Sequence, residues 1–406
     1  MASTVKLSTS HKSPLDRFAA VSLTVTYLVF TLGRSSFQRF YEAATTSLYV
    51  GTVLLFLNLV LLVPVIAFQS KANRQPCQHQ KIILKSFSLL GCWILTTSLW
   101  IPIGVNPTIY VLEVFDILLG LYMAFLALNV LGIRGVHIIL NLSACIGVVF
   151  ALGGIASSSA RASVLGGGPN VFGRIVAMGC LSLLALALSG KSAFWCMAAA
   201  AICTLATILS GSRGALLALA LGLMYFFWQF RGRIRKIFQV LIFSFFFLAL
   251  LINQLGNRFA GVWQERFVQL TFVNHYDASR SILRDISVEA IRERPFTGWG
   301  PGSFTELSLG RASYPHNIFL EILVLGGLIG FVILGFGLIQ GFRATSEVSS
   351  IDGKAITVLS LTALTSAQFS GNLFDSRMIW FYLMVSAFAC QCSTRLQKHA
   401  VTKYAF

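Results

Sequence analysis

Arginine and histidine residues at the starts of apolar segments are the side chains of this sequence best placed to do chemistry. Arg213 follows Ser210-Gly211-Ser212 where one apolar run turns into the next, and Arg280 opens a helix-like stretch in a long polar segment. A guanidinium group binds phosphate oxygens through two parallel hydrogen bonds, and the N–H groups at a helix start also favour an anion. These positions predict phosphate binding. The alternative for Arg213 is an interfacial side chain that reaches towards water.

A candidate base lies farther along the chain. His316 stands directly before Asn317 and an apolar run in which Glu321 follows about one helical turn later. An imidazole titrates near neutral pH and can accept a proton from a hydroxyl group. A lone histidine at a membrane interface is more often a polar capping group, but together with the arginines His316 predicts general-base catalysis.

Four further residues are predicted to bind the substrate. Arg284 lies four residues after Arg280, so the two share one face of the predicted helix. The alternative for Arg284 is an ordinary surface charge. Arg161, Arg174 and Asn317 complete the predicted binding set.

The composition predicts the class of protein. The chain has 406 residues, of which 56% are hydrophobic and 11% are charged. A soluble domain carries about 25% charged residues, whereas about 20 consecutive apolar residues form a membrane-spanning helix. We therefore expect an all-α, polytopic integral membrane protein. The net charge of +17 would suggest nucleic acid in a soluble protein, but here it must be divided between two membrane faces, and no nucleic-acid partner is expected.

The apolar runs predict about twelve transmembrane helices. The runs lie near residues 18–32, 46–68, 82–103, 108–132, 137–155, 171–189, 192–209, 214–230, 237–253, 317–341, 355–371 and 377–392. The predicted organisation is an N-terminal tail at 1–17, helices 1–9 at 18–253, a large loop with an amphipathic helix at 254–316, helices 10–12 at 317–392 and a C-terminal tail at 393–406.

The positive charges predict the orientation. If both termini are cytoplasmic, every lysine falls on the cytoplasmic side and every positive charge outside is an arginine. Because cytoplasmic loops of membrane proteins carry the excess of positive charge, this orientation is favoured. The large loop between helices 9 and 10 is then periplasmic or extracellular.

Four ionisable residues lie within the predicted spans, near the outer ends: Glu113, Asp116, Arg174 and Glu321. Charges inside a membrane are costly and usually mark a functional cavity. The alternative is pairing between helices that only holds the bundle together. The set predicts a cavity that opens outward, at the depth of a lipid-linked phosphate group.

The motifs and their order resemble those of the O-antigen ligase and O-antigen polymerase superfamily. The resemblance rests on Ser212-Arg213-Gly214 at the start of a span, the Arg280 helix, the glycine-rich turn at residues 295–302 and His316-Asn317 at the start of another span. It covers the region near residues 165–340. We interpret the glycine-rich turn itself as structural.

This resemblance implies a C-type-glycosyltransferase-like fold and an enzyme of the bacterial cytoplasmic (inner) membrane. Such an enzyme moves a glycan from undecaprenyl diphosphate to a hydroxyl group on a glycan, lipid A core or protein acceptor, without a metal or other cofactor. By motif, His316 would activate the acceptor, and Arg213 and Arg280 would bind the diphosphate. Membrane lipids, a flippase and a chain-length regulator are the other implied partners.

Two other functions are open on the sequence alone. One is secondary transport of a small anion such as bicarbonate, although the internal repeats and midplane polar residues typical of transporters are not evident. The other is a non-catalytic scaffold of an envelope assembly complex, against which the arginines and the histidine argue only weakly.

Overall fold

The computed structural model describes residues 14–38, 50–69, 78–157, 161–164, 168–190, 192–274, 279–346 and 348–390. Within these ranges the chain is helical and contains no β-strand. The helices are α1 (Pro14–Gln38), α2 (Val50–Gln69), α3 (Gln78–Thr97), α4 (Thr108–Leu131), α5 (Ile133–Ala156), α6 (Gly168–Leu188), α7 (Ala193–Leu209), α8 (Arg213–Gln229), α9 (Ile234–Gln254), α10 (Gly256–Val262), α11 (Arg280–Glu293), α12 (Ser303–Leu307), α13 (Ile318–Ser346), α14 (Ile351–Ser366) and α15 (Met378–Cys390). A π-helical segment, Trp263–Val273, continues α10.

The predicted all-α membrane fold is confirmed at this level. Six of the described helices are long and apolar enough to cross a membrane, or up to seven if the bent pair α9–α10 is one span. Each predicted apolar run coincides with a helix, but several of these helices, among them α7, α8 and α15, are shorter than a full span. The number of about twelve spans therefore stays a prediction. The predicted C-terminal tail lies outside the described residues, and residues 14–17 of the predicted N-terminal tail belong to α1.

Helix α6 lies at the centre of the bundle, where it packs against α5, α7, α8 and α14. Its apolar window is 94% buried, because apolar residues surround the helix on all sides. Helix α15 is buried as well, and the hydroxyl groups of Tyr27 and Tyr382 hydrogen-bond at 2.9 Å between α1 and α15. These central helices provide the rigid frame for the groups at their ends.

The two ends of the bundle differ in charge. We call the end with the α7–α8 turn and the start of α13 the site end. Every lysine that the structure describes lies at the opposite end, where His137 and Asp352 pair at 2.8 Å. The described positive charges at the site end are arginines. This grouping matches the predicted segregation of lysine and arginine, whereas which end faces the cytoplasm stays a prediction.

The region predicted as a large loop is more helical than expected. Helices α9 and α10 meet at an angle of 96°, and the helical path continues through the π-helical segment to Val273. The side chains of Phe259, Trp263 and Phe267 follow each other at helical spacing, with ring centroids 6.0 and 5.3 Å apart. These ring contacts join successive turns of the helical path. The predicted amphipathic helix is α11, which begins at Arg280 and ends at Glu293.

The glycine-rich turn at residues 295–302 inserts into a break in α13. At the break, the N–H of Trp299 donates to the carbonyl oxygen of Val324 at 2.7 Å, and the N–H of Leu328 donates to Pro295 at 2.8 Å. The turn thus replaces the partners that helical backbone groups lose at the break. It anchors the chain that leads to His316 against α13.

Two glycines make this close contact possible. Gly298 and Gly327 have positive φ values of 68° and 61°, which L side chains rarely adopt. A Cβ atom at Gly298 would lie 2.7 Å from the backbone nitrogen of Gly326, and one at Gly327 would meet the carbonyl group of Phe296. The backbones therefore approach more closely than any larger residue would permit.

Candidate functional site

The turn between α7 and α8 presents Arg213 at the start of a helix. The Ser212 hydroxyl accepts a hydrogen bond from the N–H of Ala215 at 3.3 Å and so caps α8. Ser210 tightens the same turn, because its hydroxyl donates to the Thr207 carbonyl at 2.6 Å and accepts from the N–H of Ser212 at 3.1 Å. Arg213 is half-buried as the first residue of α8. The structure therefore places Arg213 at a helix N-terminus, as the sequence predicts.

Arg161 braces this turn from outside. Its guanidinium donates to the carbonyl oxygens of Ser210 at 2.9 Å and Gly211 at 3.3 Å. Burial lowers the pKa of Arg161, and the positive charge of nearby Arg266 lowers it further. Arg161, predicted to bind substrate, therefore lies beside Arg213 with hydrogen bonds already committed to the backbone of the turn.

Two residues of α6 tie the turn to the chain between α14 and α15. The Ser212 hydroxyl donates to Asn170 at 2.8 Å, and the Asn170 amide donates to the hydroxyl of Ser370 at 3.3 Å. Arg174, which is buried, donates to the carbonyl oxygen of Ser370 at 3.4 Å. Arg174 and Arg213 are therefore held on one hydrogen-bonded frame.

The chain at residues 367–377, which we call the hub segment, connects α14 to α15 without regular helix. Helix α14 has 16 residues and spans about 24 Å, less than the bilayer core of about 30 Å. Irregular backbone at membrane depth occurs only where it is buried in protein or lines a cavity. The hub segment meets that condition, since Ala367, Leu373 and Arg377 are all less than 5% exposed.

Carboxylates on two spans hold the hub segment in place. One oxygen of Glu321 on α13 accepts from the N–H of Leu373 at 3.1 Å. An oxygen of Glu113 on α4 accepts from the amide of Asn372 at 3.1 Å, and Asn372 in turn accepts from the N–H of Asp375 at 2.9 Å. Glu321 and Glu113 therefore join helices to each other, as the alternative interpretation of the sequence states. What they hold is the hub segment, which lies beside the candidate base His316.

Asp116 is the fourth of the intramembrane ionisable residues. It accepts a hydrogen bond from the Thr52 hydroxyl at 2.7 Å, which joins α4 to α2. This contact is a bond between helices, and the Asp116 carboxylate also interacts electrostatically with Arg377 of the hub segment.

His316 lies in a strained backbone position between two opposite charges. Its φ of 60° is in the left-handed region, which a non-glycine residue occupies at a cost of about 1–3 kcal/mol. Burial lowers the pKa of its imidazole, the charge of Arg280 lowers it further, and the Asp375 carboxylate acts in the opposite direction. His316 therefore lies within the electrostatic influence of Arg280 and Asp375, and its catalytic role stays a prediction.

The immediate surroundings of the imidazole favour its neutral form. The Tyr314 ring packs edge-on against it with the centroids 4.5 Å apart, and burial raises the pKa of Tyr314 to about 12. The Nδ1 atom of His316 is buried and has no hydrogen-bond partner within the described part of the chain. A ring with an unoccupied nitrogen can accept a proton once a substrate hydroxyl reaches it.

Asn317 caps a helix and Arg284 lies at the surface of α11. The Asn317 side-chain oxygen accepts from the N–H groups of Phe319 at 3.0 Å and Leu320 at 3.1 Å, so it caps α13 and fixes the backbone that carries His316. Arg284 is exposed, and its guanidinium lies 3.4 Å from the carboxylate of its neighbour Asp285. The structure does not bring Arg284 into contact with the other predicted residues, and its role in substrate binding stays a prediction.

Two cavities flank Asp375 at the site end. A small one of about 40 Å³ is lined by Arg174, Arg377 and apolar residues of α1 and α6, and a larger one of about 530 Å³ lies between α4, α12 and the hub segment. Asp375 is the residue that the two linings share. Neither cavity was foreseen in detail, although the sequence predicted a cavity at this end.

Sequence reasoning missed Asp375, Tyr314 and the hub segment. Asp375 lies between the last two predicted apolar runs, which end near residue 371 and begin near residue 377. A signal was present, because Asp375 and Arg377 are charged residues within a strongly apolar stretch. Such charges near a membrane core usually have a functional reason.

These features define the class of protein: a multi-pass α-helical membrane protein with arginines, a histidine and an aspartate gathered around an irregular segment at one end. A family model described as O-antigen ligase matches residues 198–335. The match confirms the resemblance to the O-antigen ligase and polymerase superfamily, and it contains Arg213, Arg280 and His316. No curated protein matches the chain.

The family match gives the coarse function. It supports a membrane enzyme of the O-antigen ligase or polymerase type, which acts on lipid-linked glycans. Transport of a small anion and a purely scaffolding role find no support in the comparisons.

Proposed function

We propose that this protein transfers a glycan from undecaprenyl diphosphate to an acceptor hydroxyl group at the outer face of the bacterial cytoplasmic membrane. The proposal covers both an O-antigen ligase and an O-antigen or exopolysaccharide polymerase. The observation that carries it is the position of His316 at the start of α13, half-buried against the Tyr314 ring, with Nδ1 lacking a partner in the described chain and with the charges of Arg280 and Asp375 acting on it.

The donor is proposed to bind through its diphosphate. Arg213 and Arg280 provide guanidinium groups at the starts of α8 and α11, and Arg174 adds a buried positive charge beside the hub segment. Because the leaving group is already a diphosphate, the reaction mainly needs stabilisation of its charge and positioning of the acceptor. In a water-poor site the arginines stabilise that charge more strongly than they would in water.

The transfer proceeds as a displacement at the anomeric carbon. The acceptor oxygen forms a bond to the anomeric carbon of the glycan while the bond from that carbon to the phosphate oxygen breaks. The acceptor hydroxyl proton passes to His316, and undecaprenyl diphosphate leaves with the bonding electron pair. Asp375 stabilises the resulting imidazolium, since its negative charge favours the protonated form.

The remaining predicted residues take supporting roles in this proposal. Arg161 holds the α7–α8 turn through its carbonyl contacts, and Asn317 fixes the backbone at His316. Arg284 meets the outer part of the donor glycan, because it is exposed on α11. No step requires a metal or a nucleotide sugar.

The proposed location is the inner membrane with both termini in the cytoplasm. This orientation puts the site end outside, where a flippase delivers the lipid-linked glycan and a chain-length regulator could act. It is supported by the placement of all described lysines at the other end of the bundle.

The test is a transfer assay with the purified protein in detergent. Lipid-linked glycan and envelope acceptor from the producing bacterium are supplied, and the product is scored by its size on a gel. We expect product formation coupled to release of undecaprenyl diphosphate, with full activity in the presence of a chelator. Absence of product, together with uptake of bicarbonate into proteoliposomes, would contradict the proposal and favour a transporter.

A further inference from the structure

The larger cavity has a lining suited to a sugar. Its volume of about 530 Å³ lies within the range of about 300–1,000 Å³ that small-molecule sites occupy. Three carboxylates line it, and amides and aromatic rings complete the wall: Glu113, Glu306, Asp375, Asn106, Asn372 and Tyr314. Sugar hydroxyls hydrogen-bond to carboxylates and amides, and apolar sugar faces pack against aromatic rings.

This cavity adjoins the candidate base. The Tyr314 ring forms part of the wall and lies 4.5 Å, centroid to centroid, from the ring of His316. Asp375 lines the cavity and is also close enough for its charge to raise the pKa of His316. Tyr314 and Asp375 therefore link the cavity to the immediate surroundings of the imidazole.

The charged residues that line the larger cavity are all acidic. None of the described residues that line this cavity is lysine or arginine. The side chain of Glu113 is buried, with an exposed fraction of 6%. The small cavity on the other side of Asp375 contains Arg174 and Arg377 instead. The two cavities share Asp375, and of the two only the smaller one is lined by arginines.

We propose that the larger cavity is the acceptor subsite and that it selects an uncharged glycan over a phosphorylated or otherwise anionic one. The inference rests on the proposed transferase function. A phosphate group in this cavity would face three carboxylates with no described cation in the wall, whereas a neutral sugar meets only hydrogen-bonding groups. The same charge pattern keeps the donor diphosphate on the arginine side of His316.

The test separates acceptors by charge. Envelope glycans of the producing bacterium are divided by anion exchange into a neutral and an anionic fraction, and each is offered to the full-length protein with native lipid-linked glycan. We expect the neutral fraction to be used at least about tenfold more efficiently, a difference of about 1.4 kcal/mol. Treatment of the anionic fraction with phosphatase should raise its use towards that of the neutral fraction.

Glu306 offers a variant that leaves the fold intact, since it is an exposed residue of α12. Glu306→Gln should raise KM for the neutral acceptor about three- to tenfold, the effect of one weakened hydrogen bond, with KM for the donor unchanged. Glu306→Lys should reduce the preference for neutral over anionic acceptors. Glu289→Gln is the matched control, because Glu289 is an exposed carboxylate on α11 that pairs with Arg292 at 3.5 Å, away from the cavity.

A charge measurement that needs no turnover completes the test. Thr305, an exposed residue of the lining, is replaced in a cysteine-free background by Thr305→Cys and treated with cationic and anionic methanethiosulfonate reagents. The cationic reagent should react faster, and Glu306→Lys should reverse or abolish the difference.

The outcomes separate the two proposals. Equal or better use of the anionic fraction, or an acceptor KM that Glu306 variants do not change, would overturn the acceptor inference while transfer itself stands. No transfer to either fraction contradicts the transferase function, and the acceptor inference falls with it.

Discussion

The backbone N–H of Ile318 donates a hydrogen bond to the carbonyl oxygen of Ala367 at 3.1 Å. This bond joins the first residue of α13, two positions after His316, to the first residue of the hub segment. A second bond, from Leu373 to Glu321, repeats the connection deeper in the bundle. These two bonds connect the start of α13, next to His316, to the segment that carries Asp375.

Charge changes on either side of His316 should move the pH dependence of transfer in opposite directions. The base must be neutral, so activity falls as the pH drops through the imidazole pKa. Arg280→Gln removes a charge that lowers this pKa, so the acidic limb should move to higher pH. Asp375→Asn removes a charge that raises it, so the limb should move to lower pH.

The measurement is kcat/KM between pH 4.5 and 9 for the wild type and both variants at saturating donor. Arg292→Gln, which removes an exposed arginine paired with Glu289, serves as the control and should leave the limb in place. Shifts in the same direction for Arg280→Gln and Asp375→Asn would show that the limb belongs to a different group.

Arg213→Lys should be nearly as damaging as Arg213→Ala. Lysine keeps the positive charge but loses the planar fork that binds two phosphate oxygens at once. Both variants should lower kcat of transfer by at least about 10², the usual effect of removing one donor that stabilises transition-state charge. The accumulated protein and its thermal unfolding should match the wild type, because the cap of α8 is the Ser212 hydroxyl.

The glycine-rich turn should contribute to stability and not directly to chemistry. Gly298→Ala forces a Cβ against the backbone at the break in α13 and imposes a positive φ on alanine. We expect a loss of about 2 kcal/mol or more in the free energy of unfolding. Gly335→Ala lies within α13 itself, with open space around the new methyl group, and should be close to neutral. Thermal unfolding in detergent compares the two, and equal midpoints would contradict the role assigned to the turn.

Much of the fold was predictable because membrane helices depend on local composition. Each apolar run became a helix, and the α11 start at Arg280 followed from its polar, amphipathic sequence. The helical path from Gly256 to Val273 was not predicted from the sequence; in the structure, contacts among the rings of Phe259, Trp263 and Phe267 follow it. The number of spans is equally hard to derive, because short helices such as α15 are apolar without being long enough to cross alone.

The candidate site was predictable only in part. Arg213 and His316 stand at helix starts, and that position can be read from neighbouring residues. Asp375 could not be identified in the same way, because its proximity to His316 depends on α13, α14 and the hub segment meeting in space. The support that Arg161 gives the α7–α8 turn is likewise a tertiary contact between residues 49 positions apart.

Cysteine labelling tests the predicted orientation. Single cysteines are introduced by Leu309→Cys at the site end and Ser349→Cys at the opposite end, both at exposed positions, in a cysteine-free background. A membrane-impermeant thiol reagent applied to intact cells should label position 309 and spare position 349 until the membrane is opened. The reverse pattern would put the site end in the cytoplasm.

The most direct test of the account is a single-turnover transfer measurement on His316→Ala with native lipid-linked glycan and acceptor. The donor should bind with nearly wild-type affinity, because the arginines hold its diphosphate, while the rate of product formation falls by about 10²–10⁴, the usual effect of removing a general base. His137→Ala is the matched control, since His137 pairs with Asp352 at the opposite end of the bundle, and it should transfer at the wild-type rate. Transfer by His316→Ala at the wild-type rate would contradict the central claim that His316 activates the acceptor.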